Sequence, residues 1–330
     1  MPKRLVFELH SEGSTLARPI DQIRSEMLSL HGKMAIITGA TSGLGYETVR
    51  SLLSFGAHAV LGVRDMEKGE RIASKLRYEH PSVTVTPLHL DLASLSSIKD
   101  FAAQYESSFE RLDILINNAG IGADDDTLTD DGFPRIMGVN HLGHFALTGA
   151  LIAKLLDTPR ARIVTMTSQV YKNSSIKLDG ITKTNVNGYG ASKLANLLFT
   201  LELQKRLTSV GSRTLSLAAH PGASRTEGVE QMLGNSTNPV FRLFFGFFVR
   251  NVMQSAEAGA LNLLHAAADP DATGGDLYGP SGFLAIRGDP VSSRPSLDAS
   301  TKKLASDLWE RSANLTGVTY ETLSEGTVAN

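Results

Sequence analysis

Met34-Ala-Ile-Ile-Thr-Gly39-Ala-Thr-Ser-Gly43-Leu-Gly45 is the stretch that decides the fold of this 330-residue chain. Its apolar run over 34–38 predicts a short strand that is buried on both faces. A Gly-rich turn follows, and then a helical pattern covers about 44–55. Gly56 stands where a glycine commonly ends a helix. A strand, a glycine turn and a helix in this order predict the opening of a βαβ unit.

The same alternation continues through the middle of the chain, where apolar runs predict strands and segments of helical periodicity lie between them. Alternation of this kind implies a parallel sheet that is covered by helices and joined by right-handed crossovers. The predicted fold class is therefore α/β, with a single doubly wound parallel sheet of the Rossmann type and helices on both faces. Further strands are expected at 58–63, 83–88, 112–116, 162–167 and 214–219, and further helices at 67–78, 94–109, 130–156 and 189–210.

The composition changes little along the chain, so residues 32–330 are predicted to form one domain. Residues 1–31 show weak periodicity and are interpreted as an N-terminal extension. The segment 223–253 is irregular and then strongly aromatic, which suggests a lid. Beyond Ser281 we expect a loop-rich C-terminal tail with a short helix near 302–310.

The overall composition excludes several classes of function. Lys and Arg total 32 against 34 Asp and Glu, which leaves a net charge of −2 and no basic footprint for nucleic acid. The chain has no cysteine, which excludes disulfides, thiolate metal sites and cysteine nucleophiles. The first apolar run stops at Phe7, short of the roughly 7–15 residues of a secretory signal. No stretch reaches the roughly 18 apolar residues of a transmembrane helix. We therefore expect a cytoplasmic protein without a transmembrane segment.

The glycine turn has the spacing G-x-x-x-G-x-G over Gly39, Gly43 and Gly45. Glycines let the backbone turn sharply and approach a pyrophosphate, while the helix that follows offers free N–H groups and a positive dipole end. A plain strand-to-helix turn is the alternative for the glycines alone. The strand–turn–helix setting favours the phosphate-binding interpretation.

The turn resembles the cofactor motif of the short-chain dehydrogenases/reductases, and further motifs of that family follow in its order over about 32–285. Asn117-Asn-Ala-Gly120 and Pro221-Gly222 resemble two cofactor segments, and the segments VNHLGHF and YGASKLANLLFT resemble the retinol-dehydrogenase-like branch. The resemblance implies a nicotinamide cofactor and an enzyme that interconverts alcohols and carbonyl compounds. The cofactor-binding residues that it implies are Gly39, Ser42, Gly43, Leu44, Gly45, Asp91, Leu92, Asn118, Ala119, Gly120, Tyr189, Lys193, Pro221, Gly222 and Thr226.

The end of the second predicted strand bears on the choice of cofactor. Val63 stands where NAD-dependent members of the family carry an acid, and Arg64 follows it. An arginine there can pair with the 2′-phosphate of NADP, so NADP is the predicted cofactor. The alternative is a solvated arginine that Asp65 partly neutralises. Asp91 is open between two interpretations, a residue beside the adenine and an N-cap of the following helix.

Tyr189 and Lys193 are four residues apart and would share one face of a helix. A tyrosine hydroxyl, with a pKa of about 10, becomes a usable acid/base when a nearby ammonium favours the phenolate. The family resemblance implies that Ser168 holds the substrate oxygen and that Asn140 holds a water beside Lys193. These four residues are the predicted catalytic residues. A surface pair on a helix is the alternative for the Tyr-x-x-x-Lys spacing alone.

No metal site is predicted. His141 and His144 lie three residues apart without a third ligand cluster, so packing or hydrogen bonding is favoured for them. Asp124, Asp125 and Asp126 lack the alternating spacing of a calcium loop. They are interpreted as a solvated loop before the helix at 130–156, with Asp130 or Asp131 as its cap.

Five phenylalanines crowd into residues 241–248, with Arg242 and Arg250 beside them. A lid over an apolar substrate, a subunit interface in a homo-oligomer, and a peripheral membrane contact through 241–250 all remain open.

The sequence as a whole predicts an NADP-dependent oxidoreductase that interconverts an alcohol and a ketone or aldehyde. The expected small-molecule substrate is lipophilic or aromatic. The main alternative is a non-catalytic NADP-sensing regulator on the same fold. A light-dependent ring reductase is disfavoured, because such enzymes depend on cysteines.

Overall fold

The computed structural model describes residues 27, 29–122, 127–223, 255–282 and 285–323. These residues contain a central sheet in the order β3-β2-β1-β4-β5-β6-β7-β8. Strands β1 to β7 are parallel, and β8 pairs antiparallel with β7 at the edge. The strands are β1 (Met34–Thr38), β2 (His58–Val63), β3 (Val85–His89), β4 (Ile114–Asn117), β5 (Arg162–Met166), β6 (Leu215–Ala219), β7 (Leu277–Pro280) and β8 (Pro290–Ser293).

Helices cover both faces of this sheet, which confirms the predicted doubly wound α/β fold. Successive strand residues point to opposite faces, so Ile37 and Leu61 lie in the core on one side while Ile36 and Val60 lie in the core on the other. All four side chains are fully buried, as expected of a sheet covered on both faces. The helices are α1 (Gly43–Ser54), α2 (Met66–Glu79), α3 (Leu95–Ser108), α4 (Arg135–Met137), α5 (Gly143–Ala150), α6 (Ile152–Asp157), α7 (Tyr189–Ser209), α8 (Ala256–Ala268) and α9 (Ala299–Thr316).

The helix predicted at 130–156 is wrong in its start and in its regularity. Helical structure begins at Arg135, directly after Pro134, and a π-helical segment (Gly138–Leu142) separates α4 from α5. Asp131 caps a different helix, because its carboxylate accepts the hydrogen bond of the Leu95 N–H at 2.8 Å. The long helix is thus irregular where it passes the carboxyl ends of the central strands.

The C-terminal part of the domain is more ordered than the sequence indicated. The short helix expected near 302–310 is the longer α9, and α8, β7 and β8 were not predicted. Trp309 anchors α9 by packing against Phe145 and Phe199. At the other end of the domain, Leu30 lies in the core with 3% of its surface exposed, although the sequence placed it in the extension. Among the described helices, none combines the length and apolar character that crossing a membrane requires.

Candidate active site

The glycine turn lies between β1 and α1, at the carboxyl edge of the sheet. Gly39 and Gly43 adopt left-handed backbone conformations, with φ of 65° and 52°. A Cβ on Gly45 would lie 2.1 Å from the Gly39 carbonyl oxygen, and a Cβ on Gly39 would lie 2.9 Å from Ala119 Cα. The turn therefore requires glycine both for its backbone conformation and for its close packing against the segment after β4.

Hydrogen bonds fix this turn to residues 118 and 119. The Asn118 side-chain amide donates to the Thr38 carbonyl at 2.8 Å, and the N–H groups of Asn118 and Ala119 each donate to Thr38 Oγ1 at 2.9 Å. Asn118 therefore supports the turn through its side chain. A Cβ on Gly120 would lie 3.2 Å from Lys193 Nζ, so this segment also borders the predicted proton-transfer residues.

The residues of the turn fit the pyrophosphate of a dinucleotide. Ser42 is the N-cap of α1, yet its side chain makes no capping hydrogen bond. The N–H groups in the first turn of a helix lack backbone partners and favour an anion. The close packing of Gly39 and Gly45 against neighbouring residues holds the turn in this shape. Gly39, Ser42, Gly43, Leu44 and Gly45 therefore form a cradle suited to a phosphate.

At the end of β2, Val63 is buried and Arg64 is exposed. The neighbouring Asp65 is committed to α2, because its carboxylate accepts a hydrogen bond from the Lys68 N–H at 2.9 Å. Within the part of the chain that the structure describes, Arg64 forms no ion pair. Its guanidinium is therefore available to an anionic ligand, and Asp65 does not neutralise it by contact.

The helix-capping interpretation of Asp91 is wrong. Ser94 is the N-cap of α3, and its side chain accepts from the Ser97 N–H. Asp91 instead closes a tight turn after β3, since its carboxylate accepts from the Ala93 N–H at 2.9 Å. Leu92 is buried, and its carbonyl packs against Gly143. Asp91 and Leu92 thus lie directly beyond the carboxyl end of β3.

The predicted proton-transfer residues lie together. Tyr189 begins α7 and Lys193 follows one turn later, with Nζ 5.5 Å from the centre of the tyrosine ring. Lys193 is only 2% exposed, and its ammonium donates a 3.4 Å hydrogen bond to the Met166 carbonyl at the end of β5. Ser168, two residues after that strand, lies near enough to Tyr189 for its hydroxyl to affect the pKa of the tyrosine. The alternative of a surface pair on a helix is therefore wrong.

Burial is the main cause of the pKa shifts of Tyr189 and Lys193. Desolvation raises the pKa of Tyr189, and the nearby Ser168 hydroxyl partly offsets the rise. Desolvation lowers the pKa of Lys193 to about 8. The expected lowering of the tyrosine pKa by the lysine is therefore not produced by the protein groups alone, because both charged forms lose solvation.

Asn140 lies in the π-helical segment and is fully buried. Its side-chain oxygen accepts from the Ile121 N–H at 2.8 Å, and its amide donates to the Ile121 carbonyl at 2.9 Å and to Ser192 Oγ at 3.0 Å. Asn140 therefore ties the segment after β4 to α7, directly beside Lys193. Both amide protons are used, which leaves one acceptor position on the side-chain oxygen for a water.

Comparison with known proteins identifies the family. The model of the family described as short chain dehydrogenase matches residues 33–234. The chain belongs to the short chain dehydrogenases. Human retinol dehydrogenase 13 is 36% identical over 90% of this chain and 88% of its own length. Mouse retinol dehydrogenase 12 is 37% identical over 89% of each chain. These relatives confirm the retinol-dehydrogenase-like resemblance and support an oxidoreductase that interconverts alcohols and carbonyl compounds.

A solved structure confirms the fold of this short chain dehydrogenase. The crystal structure of an uncharacterized protein from Mycobacterium paratuberculosis superposes with a TM-score of 0.67. It is 34% identical, and the match covers 90% of this chain and 97% of that chain.

Sequence reasoning missed two polar residues near the site of this dehydrogenase, Gln169 and His220. Gln169 follows Ser168 and pairs with His220 Nε2 at 3.0 Å, while His220 Nδ1 accepts from the Gly222 N–H at 3.2 Å. Burial lowers the pKa of His220 to about 4. Pro221 and Gly222 follow β6, and Gly222 has a left-handed φ of 62°. The signal for His220 was its position at the end of an apolar run.

His141 and His144 make hydrogen bonds, as the sequence favoured. His141 pairs with Ser312 and His144 with Thr38, each at 2.9 Å. Within the described residues, no group of three or more potential ligands is placed to hold a metal ion. Several predicted features lie outside the described residues: Thr226, Asp124 to Asp126, the Phe-rich segment 241–250 and nearly all of the lid at 223–253.

Proposed function

We propose that this protein is an NADP(H)-dependent oxidoreductase that interconverts an alcohol and a ketone or aldehyde, with Tyr189 as the acid/base. The observation that carries the proposal is the convergence of Tyr189, Ser168 and Lys193 at the carboxyl edge of the sheet, beside the glycine turn. Ligands of open α/β sheets bind at this edge.

The chain supplies binding, orientation and proton transfer. A bound nicotinamide cofactor supplies or accepts the hydride. The hydroxyls of Ser168 and Tyr189 would both contact the substrate oxygen, because the two side chains lie beside each other at this edge of the sheet. Tyr189 Oη would donate its proton to a carbonyl oxygen during reduction and take the proton of an alcohol during oxidation.

Lys193 is suited to replace the proton that Tyr189 gives up. Its pKa of about 8 lies close to neutral pH, so the ammonium dominates there and the neutral amine is still accessible. Proton exchange with a neighbour is most effective when the pKa is close to the working pH. Asn140 holds the backbone beside Lys193, so its loss would displace the lysine rather than remove an acid. We propose Asn140, Ser168, Tyr189 and Lys193 as the catalytic residues.

The preference for NADP rests on Arg64. The guanidinium is exposed at the end of β2 and free of Asp65, which caps α2 instead. A planar guanidinium pairs well with a phosphate, and the absence of an acid at Val63 removes the repulsion that a 2′-phosphate would meet.

The proposed substrate is lipophilic. The similar relatives are named for retinol, a long apolar alcohol, and Val170 leaves an apolar side chain 44% exposed beside Gln169. A panel of apolar aldehydes and ketones, retinaldehyde among them, would identify the preferred class, and hydrophilic sugars serve as the comparison set.

The experiment that tests the proposal is Tyr189→Phe, which removes one oxygen and keeps the ring. We expect turnover to be lost while NADPH binding, followed by its fluorescence, stays close to wild type. Tyr78→Phe is the matched control, since Tyr78 is 89% exposed on α2 and should keep full activity. Turnover by Tyr189→Phe at the wild-type rate would refute the assignment. NADPH binding by wild type without turnover of any carbonyl compound would favour the regulator instead.

A further inference from the structure

His144 lies between the glycine turn and the proton-transfer residues, and the hydrogen bonds of Thr38 determine its protonation state. Thr38 Oγ1 accepts from the N–H groups of Asn118 and Ala119, both at 2.9 Å. A hydroxyl has two acceptor positions and one proton. Both acceptor positions are therefore used, so the hydroxyl can only donate to its remaining neighbours. These are His144 Nε2 at 2.9 Å and the Ile116 carbonyl at 3.4 Å, and the shorter contact assigns the proton to the imidazole.

The imidazole nitrogen at 2.9 Å from that hydroxyl is His144 Nε2. It must accept, so it carries no proton. The other ring nitrogen, Nδ1, lies 3.1 Å from the Asn140 carbonyl oxygen, which can only accept. Nδ1 must therefore carry the proton. Two independent contacts assign the same tautomer, in which Nδ1 carries the proton and Nε2 is unprotonated.

The imidazole is held in its neutral form. His144 is 1% exposed, and burial lowers its pKa to about 3, with the nearby Lys193 adding to the effect. A protonated ring would also place an N–H against a hydroxyl that has no acceptor position left.

The two contacts connect the two halves of the site. On one side, Thr38 receives the N–H groups of 118–119 and leads into the glycine turn. On the other side, Asn140 lies in the π-helical segment and holds Ser192 on α7. We propose that His144 is a positioning residue, locked as the Nδ1–H tautomer, that fixes the cofactor turn relative to the proton-transfer helix.

This proposal rests on the proposed function, yet its first test needs neither cofactor nor substrate. Nitrogen NMR of protein labelled with ¹⁵N-histidine distinguishes the two tautomers, and His144→Asn identifies the signal that belongs to His144. We expect a neutral Nδ1–H imidazole that does not titrate while the protein stays folded. An Nε2–H tautomer, or titration in the folded protein, would overturn the proposal.

Three substitutions separate the two contacts. His144→Asn places its amide nitrogen near Nδ1 and keeps only the bond to Asn140. His144→Gln places its amide oxygen near Nε2 and keeps only the bond to Thr38. His144→Leu loses both. The matched control is His141→Leu, because His141 is equally buried in the adjoining π-helical segment but bonds Ser312 instead.

The loss of one such hydrogen bond corresponds to about a threefold to tenfold change in an equilibrium or rate constant. We expect His144→Asn to raise the Kd for NADPH by that factor and to leave kcat near wild type. We expect His144→Gln to lower kcat by that factor and to keep the Kd, while His144→Leu does both. His141→Leu should lower the melting temperature alone.

The outcomes separate the two proposals. If the three His144 variants have equal effects that match those of His141→Leu, then His144 contributes only packing. That result would overturn its proposed role as a positioning residue. A wild-type protein that turns over no carbonyl compound would count against the proposed function, while the tautomer and the NADPH affinities would still decide the role of His144.

Discussion

Gly39→Ala tests the cradle that the glycine turn forms for a phosphate. The substitution adds one methyl group, and its cost has two separable parts. Gly39 has a φ of 65°, and a residue with a Cβ pays about 1–2 kcal/mol to adopt that conformation. The new Cβ would also lie 2.9 Å from Ala119 Cα and 3.1 Å from Ala119 Cβ. Forcing such a group into a packed site costs about 1–3 kcal/mol more.

Gly211→Ala is the matched control for the backbone part of this cost. Gly211 has nearly the same conformation, with φ of 68°, but a Cβ there would meet nothing within 4 Å. We expect Gly211→Ala to destabilise the protein by about 1–2 kcal/mol and to leave NADPH binding unchanged. Gly39→Ala should cost about 2–5 kcal/mol, the total of both parts.

The second readout is affinity. The clash at Gly39 pushes residues 118–120 away from the turn, so the backbone that faces the cofactor moves with them. We expect the Kd for NADPH, measured by fluorescence on folded protein, to rise by about tenfold or more, which corresponds to about 1.4 kcal/mol. Urea unfolding measures the stability of both variants. Equal destabilisation by Gly39→Ala and Gly211→Ala, with wild-type affinity in both, would refute the reasoning.

Three further predictions test other parts of the structure. Arg64→Gln should raise the KM for NADPH by about tenfold to a hundredfold and leave the KM for NADH unchanged, since only NADPH carries the 2′-phosphate; an equal rise for both cofactors would contradict the proposed pairing. Burial alone would raise the pKa of Asp113, but hydrogen bonds from Arg111, the Met34 N–H and Lys33 lower it overall. The ionised carboxylate therefore stabilises the folded protein above about pH 4, and this stabilisation is lost as the pH falls through the folded-state pKa. Asp113→Asn should make the free energy of unfolding less dependent on pH in the acid range, as measured by urea unfolding. Trp309→Ala should cost about 3–5 kcal/mol in the same unfolding assay, because the indole is 5% exposed and packs against aromatic rings of two other helices.

The central strands and the catalytic spacing were predictable because each leaves a local pattern. Strand β1 is an uninterrupted apolar run with glycine after it, and both of its faces are buried, so its limits Met34–Thr38 were predicted without error. Tyr189 and Lys193 were placed together by helix geometry alone. Asn140 and Ser168 needed the family resemblance, because nothing in the residues around them indicates which loop or helix they face.

The features that escaped prediction depend on contacts between distant parts of the chain. Asp131 was predicted as a possible cap of its own helix, yet it caps α3, whose first residue lies 36 positions earlier. The π-helical segment at Gly138–Leu142 interrupts a pattern that reads as one continuous helix. Strand β8 is short, and its antiparallel pairing with β7 is a property of the sheet edge rather than of its own residues.

His144 shows most clearly what a local pattern leaves out. In the sequence it is a histidine one turn from Asn140 and 106 residues from Thr38, with no signal that joins the three. Only the folded sheet brings β1 beside the π-helical segment, and only a count of donors and acceptors shows that the ring must bridge them in one tautomer. A neutral imidazole at this position offers both an acceptor and a donor in fixed directions, whereas a hydroxyl is too short to span the gap and a charged side chain would be desolvated. The role we propose for residue 144 therefore depends on the approach of β1 to the π-helical segment, which no single segment of the chain contains.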